Sequence, residues 1–261
     1  VRMEDLDAPR VVPGAAAAML ETLARFGMQS DEPVLWQSTR TAAYRAALDQ
    51  LIARGLAYPC RCTRGERSGA RCRCRDLAPS SPLDAQGGPV CAMDDTPVAW
   101  RLRLPDGLLD FKDGIQGACR YSAAELGDPV LFRRDGLPAY QLAVVVDDAF
   151  QGITDVVRGA DLLESTAWQL ALYAALGLGA PRFMHVPVLT EPGGAKLAKS
   201  RRSLPLQDLK PGPALFSCLA WLGLEPPSEL KAAPVSDMLH WSVQNWSPVR
   251  VPGGREIALA H

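Results

Sequence analysis

The sequence predicts an α/β protein whose two halves are separated by a β-rich insertion, and three observations carry this. Two helical patterns follow a short acidic-ended strand near the start. A strand–helix–strand pattern occupies residues 153–189. Between these halves lies a cysteine cluster, then a segment rich in Pro, Ser, Asp and Gly, then alternating strand patterns. Apolar runs that end in charged residues mark strand ends opening into a cleft, where open α/β sheets hold ligands.

Length and composition bound the answer. A chain of 261 residues can hold one large domain or a core with an insertion. Its 48% apolar content supplies a sizeable core, and no apolar run approaches membrane-spanning length. Glu4 and Asp5 stand where a signal peptide would begin its apolar segment, so a cytoplasmic location is expected. A formal net charge of -1 excludes broad nonspecific coating of nucleic acid; such a partner would need a local basic patch.

Val1 to Asp7 reads as a strand ending in acids, so the chain is expected to enter mid-fold. Pro13 to Gly27 predicts a helix: proline sits in the first turn, and Met19, Leu20, Leu23 and Phe26 line one face. A second helix is predicted from about Thr41 to Arg54, burying Tyr44, Leu48, Leu51 and Ile52 and stopping at Gly55.

Cys60, Cys62, Cys72 and Cys74 form two Cys-x-Cys pairs. Four thiolates so spaced can surround one tetrahedral Zn²⁺, although each pair is tighter than the usual two-residue spacer. A remnant that has lost its metal is the alternative. Arg61, Arg64, Arg67, Arg71, Arg73 and Arg75 crowd the same segment. Some can offset the charge of the thiolates, and the others can face outward toward phosphates or simply be solvated. Cys91, Cys119 and Cys218 read as small buried hydrophobes.

Residues 77–97 form a linker or long loop. Val98 to Leu104 alternates an apolar face with an arginine face, Asp106-Gly107 makes a turn, and Leu108 to Phe111 continues the hairpin. Pro129 to Arg133 is another strand. Tyr140 to Asp148 is ambiguous, since β-branching favours a strand while the spacing of Tyr140, Val144 and Asp147 or Asp148 also suits a helix. Ile153 to Arg158 predicts a strand, Asp161 to Leu176 a helix ending at Gly177, and Phe183 to Leu189 a strand, which together make a βαβ unit. His185 packs near the strand that feeds the next loop and is given no catalytic role. That loop, Pro192 to Ser200, is glycine-hinged and carries Lys196 and Lys199, properties suited to a lid over a phosphate-bearing ligand or to an ordinary surface turn. Helices are expected again at Pro213–Leu222 and Ser236–Trp246.

Four stretches taken in order resemble the class I glutamyl-tRNA synthetase family. They are Arg2-Met3-Glu4-Asp5-Leu6-Asp7 with Pro9-Arg10, AYQLAVVVDD around Tyr140, GITDVVRGADL from Gly152 to Leu162, and KLAKS from Lys196 to Ser200. KLAKS is similar to the family's KMSKS loop. Nearly the whole chain is covered, and order and spacing are more specific than any single motif.

The resemblance implies a Rossmann-type class I catalytic core split by a zinc-containing insertion. Its parts would be residues 1–57 and 138–202 for the core, 58–137 for the insertion and 203–261 for a helical C-terminal region. It implies that Glu4 engages the ammonium of a glutamate substrate. Tyr140 and Arg158 would sit in the glutamate pocket, with Arg158 holding a carboxylate by a bidentate pair. Lys199, with Lys196 nearby, would approach ATP and its Mg²⁺. Residues 201–261 are too few for a large helical anticodon-binding region. The resemblance is therefore to the short branch of the family, which transfers glutamate to queuosine in the anticodon of tRNA(Asp), and a monomer is expected. A fragment of an ordinary glutamyl-tRNA synthetase and a noncatalytic zinc-containing RNA-binding module are the alternatives.

Two departures from the family accompany this. Ala70 stands where the family has a tyrosine zinc ligand, so Cys72 would have to replace it. The family's first strand and HIGH-type helix, a βα segment of about 30–40 residues, are expected to precede Val1.

Overall fold

The computed structural model describes residues 1–7, 10–62, 74–77, 97–191 and 206–259. The predicted lysine loop, with Lys196 and Lys199, and the candidate ligand Cys72 lie outside these residues, as does Cys91. In chain order the elements begin with β1 (Arg2–Met3), α1 (Ala15–Arg25), β2 (Leu35–Trp36), α2 (Thr41–Ala53) and β3 (Ala57–Cys60). They continue with α3 (Cys74–Leu77), β4 (Ala99–Leu102), β5 (Leu108–Asp113), β6 (Gly117–Ser122), α4 (Ala123–Leu126) and β7 (Val130–Phe132). The second half holds α5 (Tyr140–Phe150), β8 (Asp155–Gly159), α6 (Leu163–Leu176), β9 (Arg182–Val186) and β10 (Val188–Thr190), then α7 (Pro211–Trp221), α8 (Val235–Asn245) and β11 (Glu256–Ala258).

Parallel pairing defines the two halves. β1 pairs with β2, β8 with β9 across the α6 crossover, and β10 with β11. Among the described residues these remain separate ladders. Between the halves, β3, β4 and β7 form an antiparallel sheet, and β5 and β6 a hairpin. Leu108 to Phe111 therefore pairs with Cys119 to Ser122, not with β4 as expected. β4 is already flanked by β3 and β7, which leaves it no free edge.

The core gathers where α2, α5 and α6 meet. Tyr44, Leu48 and Leu51 of α2 pack with Leu142 and Val145 of α5 and with Leu172 and Tyr173 of α6. The stripe expected on α2 is the one observed, Tyr44, Leu48, Leu51 and Ile52. α5 resolves the ambiguous segment as a helix. Its β-branched residues are buried on several sides, so tertiary packing outweighs their modest preference for strand. The helix starts after the extended Ala139, and α6 ends on Gly177 in the left-handed conformation (φ 71°).

Three features extend the sequence reading, and the last of them corrects it. α1 has no buried residue, and Met19 is 57% exposed. Its apolar face lines an open groove of about 550 Å³ shared with α7 and α8. The arginine face of β4 is not solvated: Arg101 is only 6% exposed and donates to the Asp128 carbonyl at 2.7 Å. Cys119 is partly exposed and Cys218 exposed, so neither is a buried hydrophobe.

Candidate active site

Arg158 and His185 are register partners on β8 and β9. The half-buried Arg158 guanidinium donates from Nε to His185 Nε2 at 3.1 Å. Its Nη2 donates to Thr166 Oγ1 and to Gln169 Oε1, both at 2.7 Å. Gln169 is itself oriented by Gln141, whose Oε1 accepts from Gln169 Nε2 at 2.8 Å. These acceptors are all uncharged, and among the described residues no carboxylate forms an ion pair with Arg158. Nη1 takes no part in these bonds. Burial lowers the Arg158 guanidinium from its ordinary value, opposed by the charges of Tyr140 and Asp148 when ionised.

His185 is fully buried and lies between Arg158 and Asp113 of β5, with Nδ1 2.6 Å from Asp113 Oδ2. Burial depresses the imidazole pKa, and nearby Asp113 works against that. Asp113 is held below the usual carboxylate range by the Gln116, Ile115 and His185 amides and the His185 ring, which together outweigh its own burial.

Tyr140 opens α5 and is 40% exposed. Burial pushes its phenol above the ordinary value; the Arg158 and Arg2 cations oppose this, and the Glu4 and Asp148 carboxylates add to it. Tyr140 thus shares one electrostatic neighbourhood with Glu4 and Arg158. Glu4 and Tyr140 also line one cleft of about 260 Å³, with Gln37, Arg133 and Asp7. The Glu4 carboxylate is partly exposed, 3.6 Å from Arg2 Nη2. Arg2 in turn holds Asp148 at 2.6 Å, and the hydroxyl of Tyr173 reaches the other Asp148 oxygen at 3.3 Å. The structure therefore brings Glu4, Tyr140 and Arg158 together around the N-terminus of α5.

Behind this cluster Asp147 is fully buried. It accepts from Gln37 Nε2, Arg40 Nε and Tyr44 Oη at 2.9, 2.6 and 2.7 Å. The bonds cross from α2 and the turn before it to α5, and so lock the helix that presents Tyr140.

The cysteine cluster is a separate feature. The Sγ atoms of Cys60, Cys62 and Cys74 lie within 4.8 Å of one another, and Cys62 and Cys74 are 3.5 Å apart. Tetrahedral zinc with Zn–S of about 2.3 Å needs sulfurs about 3.8 Å apart, so these three fit one metal. Close by, Arg75 is buried rather than turned outward. It makes a two-oxygen contact with Asp128 at 2.8 and 3.0 Å, while Tyr58 Oη donates to Asp128 at 2.8 Å. Arg75 is thus spent on the insertion's own framework.

Sequence reading missed Asp113, Arg2, Asp148, Thr166, Gln169 and the use of His185. Asp113 and His185 are 72 positions apart, and no local pattern links a hairpin turn to a strand that far away. The GITDVVRGADL stretch marked Arg158, but its partners depend on which residues of α6 face β8.

A family profile for tRNA synthetases class I (E and Q), catalytic domain, matches residues 1–229. The glutamyl-Q tRNA(Asp) synthetase of Ectopseudomonas mendocina (strain ymp) is 46% identical over 261 residues, spanning 100% of this chain and 85% of that protein. The protein of the same name from Pseudomonas aeruginosa (strain LESB58) is 48% identical over 253 residues, 97% of this chain and 83% of that one. Among solved structures, the glutamate-tRNA synthetase of Elizabethkingia anophelis superposes with a TM-score of 0.74 at 23% identity. That match covers 99% of this chain and 60% of the other, and it speaks to the fold.

Proposed function

This chain belongs to the class I tRNA synthetases (E and Q), among the glutamyl-Q tRNA(Asp) synthetases, and from that premise we propose that it is a ligase. It activates glutamate with ATP in the absence of tRNA and transfers the glutamyl group to queuosine in the anticodon of tRNA(Asp). One observation carries the glutamate reading. Arg158 is a half-buried cation whose hydrogen-bond partners are all uncharged, so its charge awaits an anion brought by a ligand.

In this reading a substrate carboxylate meets the Arg158 edge that includes Nη1, because Nε and Nη2 are largely committed to His185, Thr166 and Gln169. Tyr140 contributes a phenolic hydroxyl beside it, and Glu4 receives the ammonium group. The α-carboxylate then attacks the α-phosphorus of ATP in line. A carboxyl–phosphate bond forms, the α–β phosphoanhydride breaks and pyrophosphate leaves. A hydroxyl of the queuosine cyclopentenediol next attacks the acyl carbon and AMP departs. Neither step needs a covalent protein intermediate, so positioning and charge stabilisation carry the rate. Lys199, with Lys196, is assigned to the ATP phosphates, whose charge Mg²⁺ also offsets. Cys60, Cys62 and Cys74, with Cys72, would hold a structural Zn²⁺ in an insertion spanning 58–137. The reading is tested by charging tRNA(Asp) with labelled glutamate, with and without queuosine. Label on the queuosine-bearing species alone is expected, and label at a 3′-terminal ribose or on queuosine-free tRNA would overturn it.

A further inference from the structure

The hydrogen-bond donors around His185 can be placed one by one. Arg158 Nε carries a proton and has no lone pair to offer, so at 3.1 Å His185 Nε2 must accept. Thr166 Oγ1 accepts from Arg158 Nη2 and lies 3.0 Å from His185 Nε2, so with Nε2 accepting from Arg158 the hydroxyl gives its own proton either to that nitrogen or to the Leu162 carbonyl at 3.2 Å. His185 is then neutral with its proton on Nδ1, which donates to Asp113 Oδ2 at 2.6 Å. Asp113 Oδ1 is occupied in turn by three backbone amides, those of Ile115 (3.0 Å), Gln116 (2.8 Å) and His185 (3.1 Å). The same hairpin turn grips β9 again through Gln116, whose Nε2 donates to the His185 carbonyl at 2.8 Å.

We propose that Asp113 and His185 are positioning residues: the Asp113 carboxylate fixes the Nδ1–H form of His185, and that form fixes the direction in which Arg158 faces the substrate carboxylate. The proposal rests on the reading of Arg158 as a carboxylate receptor. It adds that a residue from the β5–β6 hairpin, far from the βαβ unit in sequence, sets the aim of the receptor. The other tautomer, or an imidazolium, would turn its Nε2–H toward Thr166 Oγ1 at 3.0 Å, cost Arg158 Nε its acceptor and set two N–H groups 3.1 Å apart, which pushes the guanidinium away.

Asp113→Asn distinguishes positioning from mere packing, because it is nearly isosteric. The three amides aimed at Oδ1 require the amide oxygen on their side, so the new NH₂ faces His185 Nδ1. Nδ1 then becomes an acceptor, the proton moves to Nε2, and a donor meets a donor at Arg158. His185→Gln retains an acceptor for Arg158, and His185→Leu removes it.

Two measurements on the full chain test this. Imidazole ¹⁵N shifts, in a protein with 3 histidines, report the His185 tautomer directly, whether or not the enzyme turns over. Wild type is expected to be Nδ1–H at about pH 7.5 and Asp113→Asn to be Nε2–H; an Nε2–H or doubly protonated wild type overturns the proposal. Steady-state pyrophosphate exchange supplies the second readout. Asp113→Asn and His185→Leu should raise the glutamate KM about tenfold or more with the ATP KM changed by less than about twofold, and His185→Gln should restore it to within about threefold. Equal loss toward both substrates, an unchanged glutamate KM, or no recovery in His185→Gln overturns it. Absence of exchange in wild type would refute the glutamate reading instead, and the tautomer measurement would still decide the Asp113–His185–Arg158 chain.

Discussion

Arg2 Nη1 donates to Asp148 Oδ1 at 2.6 Å, joining the first strand to a helix residue 146 positions later. Both side chains are largely buried, 16% and 8% exposed. Asp148 lies two turns beyond Tyr140 on α5, and Glu4 lies two residues beyond Arg2. This ion pair therefore sets how the Glu4 strand end stands against the start of α5.

Removing one partner of a buried pair leaves the other charged and desolvated. Asp148→Ala is expected to cost about 3–5 kcal/mol, measured as a shift in urea unfolding. Arg2→Met together with Asp148→Leu should cost much less than Asp148→Ala alone, because no charge is left behind.

Tyr140→Phe removes one hydroxyl from a partly exposed position, so the fold should hold. The expected result is a rise of about five- to tenfold in the glutamate KM with little change in that for ATP. Steady-state exchange assays at varied glutamate and ATP check it. A larger effect on ATP would place Tyr140 elsewhere in the chemistry.

Stability should fall on acidification in two stages. His185 has its folded pKa below the ordinary 6.5, so its contribution is complete above that value and is lost as pH falls through the depressed one. Asp113 is held below the ordinary 3.8; its contribution is complete above that value and is lost at still lower pH. Urea midpoints at about pH 8, 6.5, 5 and 3 should decline for wild type, and His185→Gln should flatten the decline between about pH 8 and 5 while a carboxylate stage persists toward pH 3.

Cys60→Ser, Cys62→Ser and Cys74→Ser are each expected to lower bound zinc well below one per chain, measured by elemental analysis of the purified protein. Chelation should lower the melting temperature of wild type, and these variants should respond less. Stoichiometric zinc in all three variants would contradict the cluster as the site.

How much was legible in the sequence depended on how local the physics was. α2 was readable to the residue because one face is buried and the other is not. α5 was not, because burial on several sides erases the periodicity that separates helix from strand. The Leu108 strand was given the wrong partner, since pairing is decided by which edges the sheet leaves open. Nothing local marks Arg101 and Arg75 for burial, and only the three-dimensional placement of Asp128 explains it. At the site, Glu4, Tyr140 and Arg158 stood out by resemblance, whereas Asp113 and the polar face of α6 carry no motif.

Amino-acid-dependent ATP–pyrophosphate exchange, run with glutamate and with glutamine on the full-length protein and on Arg158→Leu, decides whether Arg158 is the receptor that selects glutamate. Exchange is expected with glutamate and not glutamine, without added tRNA, with a loss of about a hundredfold or more in kcat/KM for Arg158→Leu. Exchange that prefers glutamine, or that survives Arg158→Leu unchanged, would contradict it.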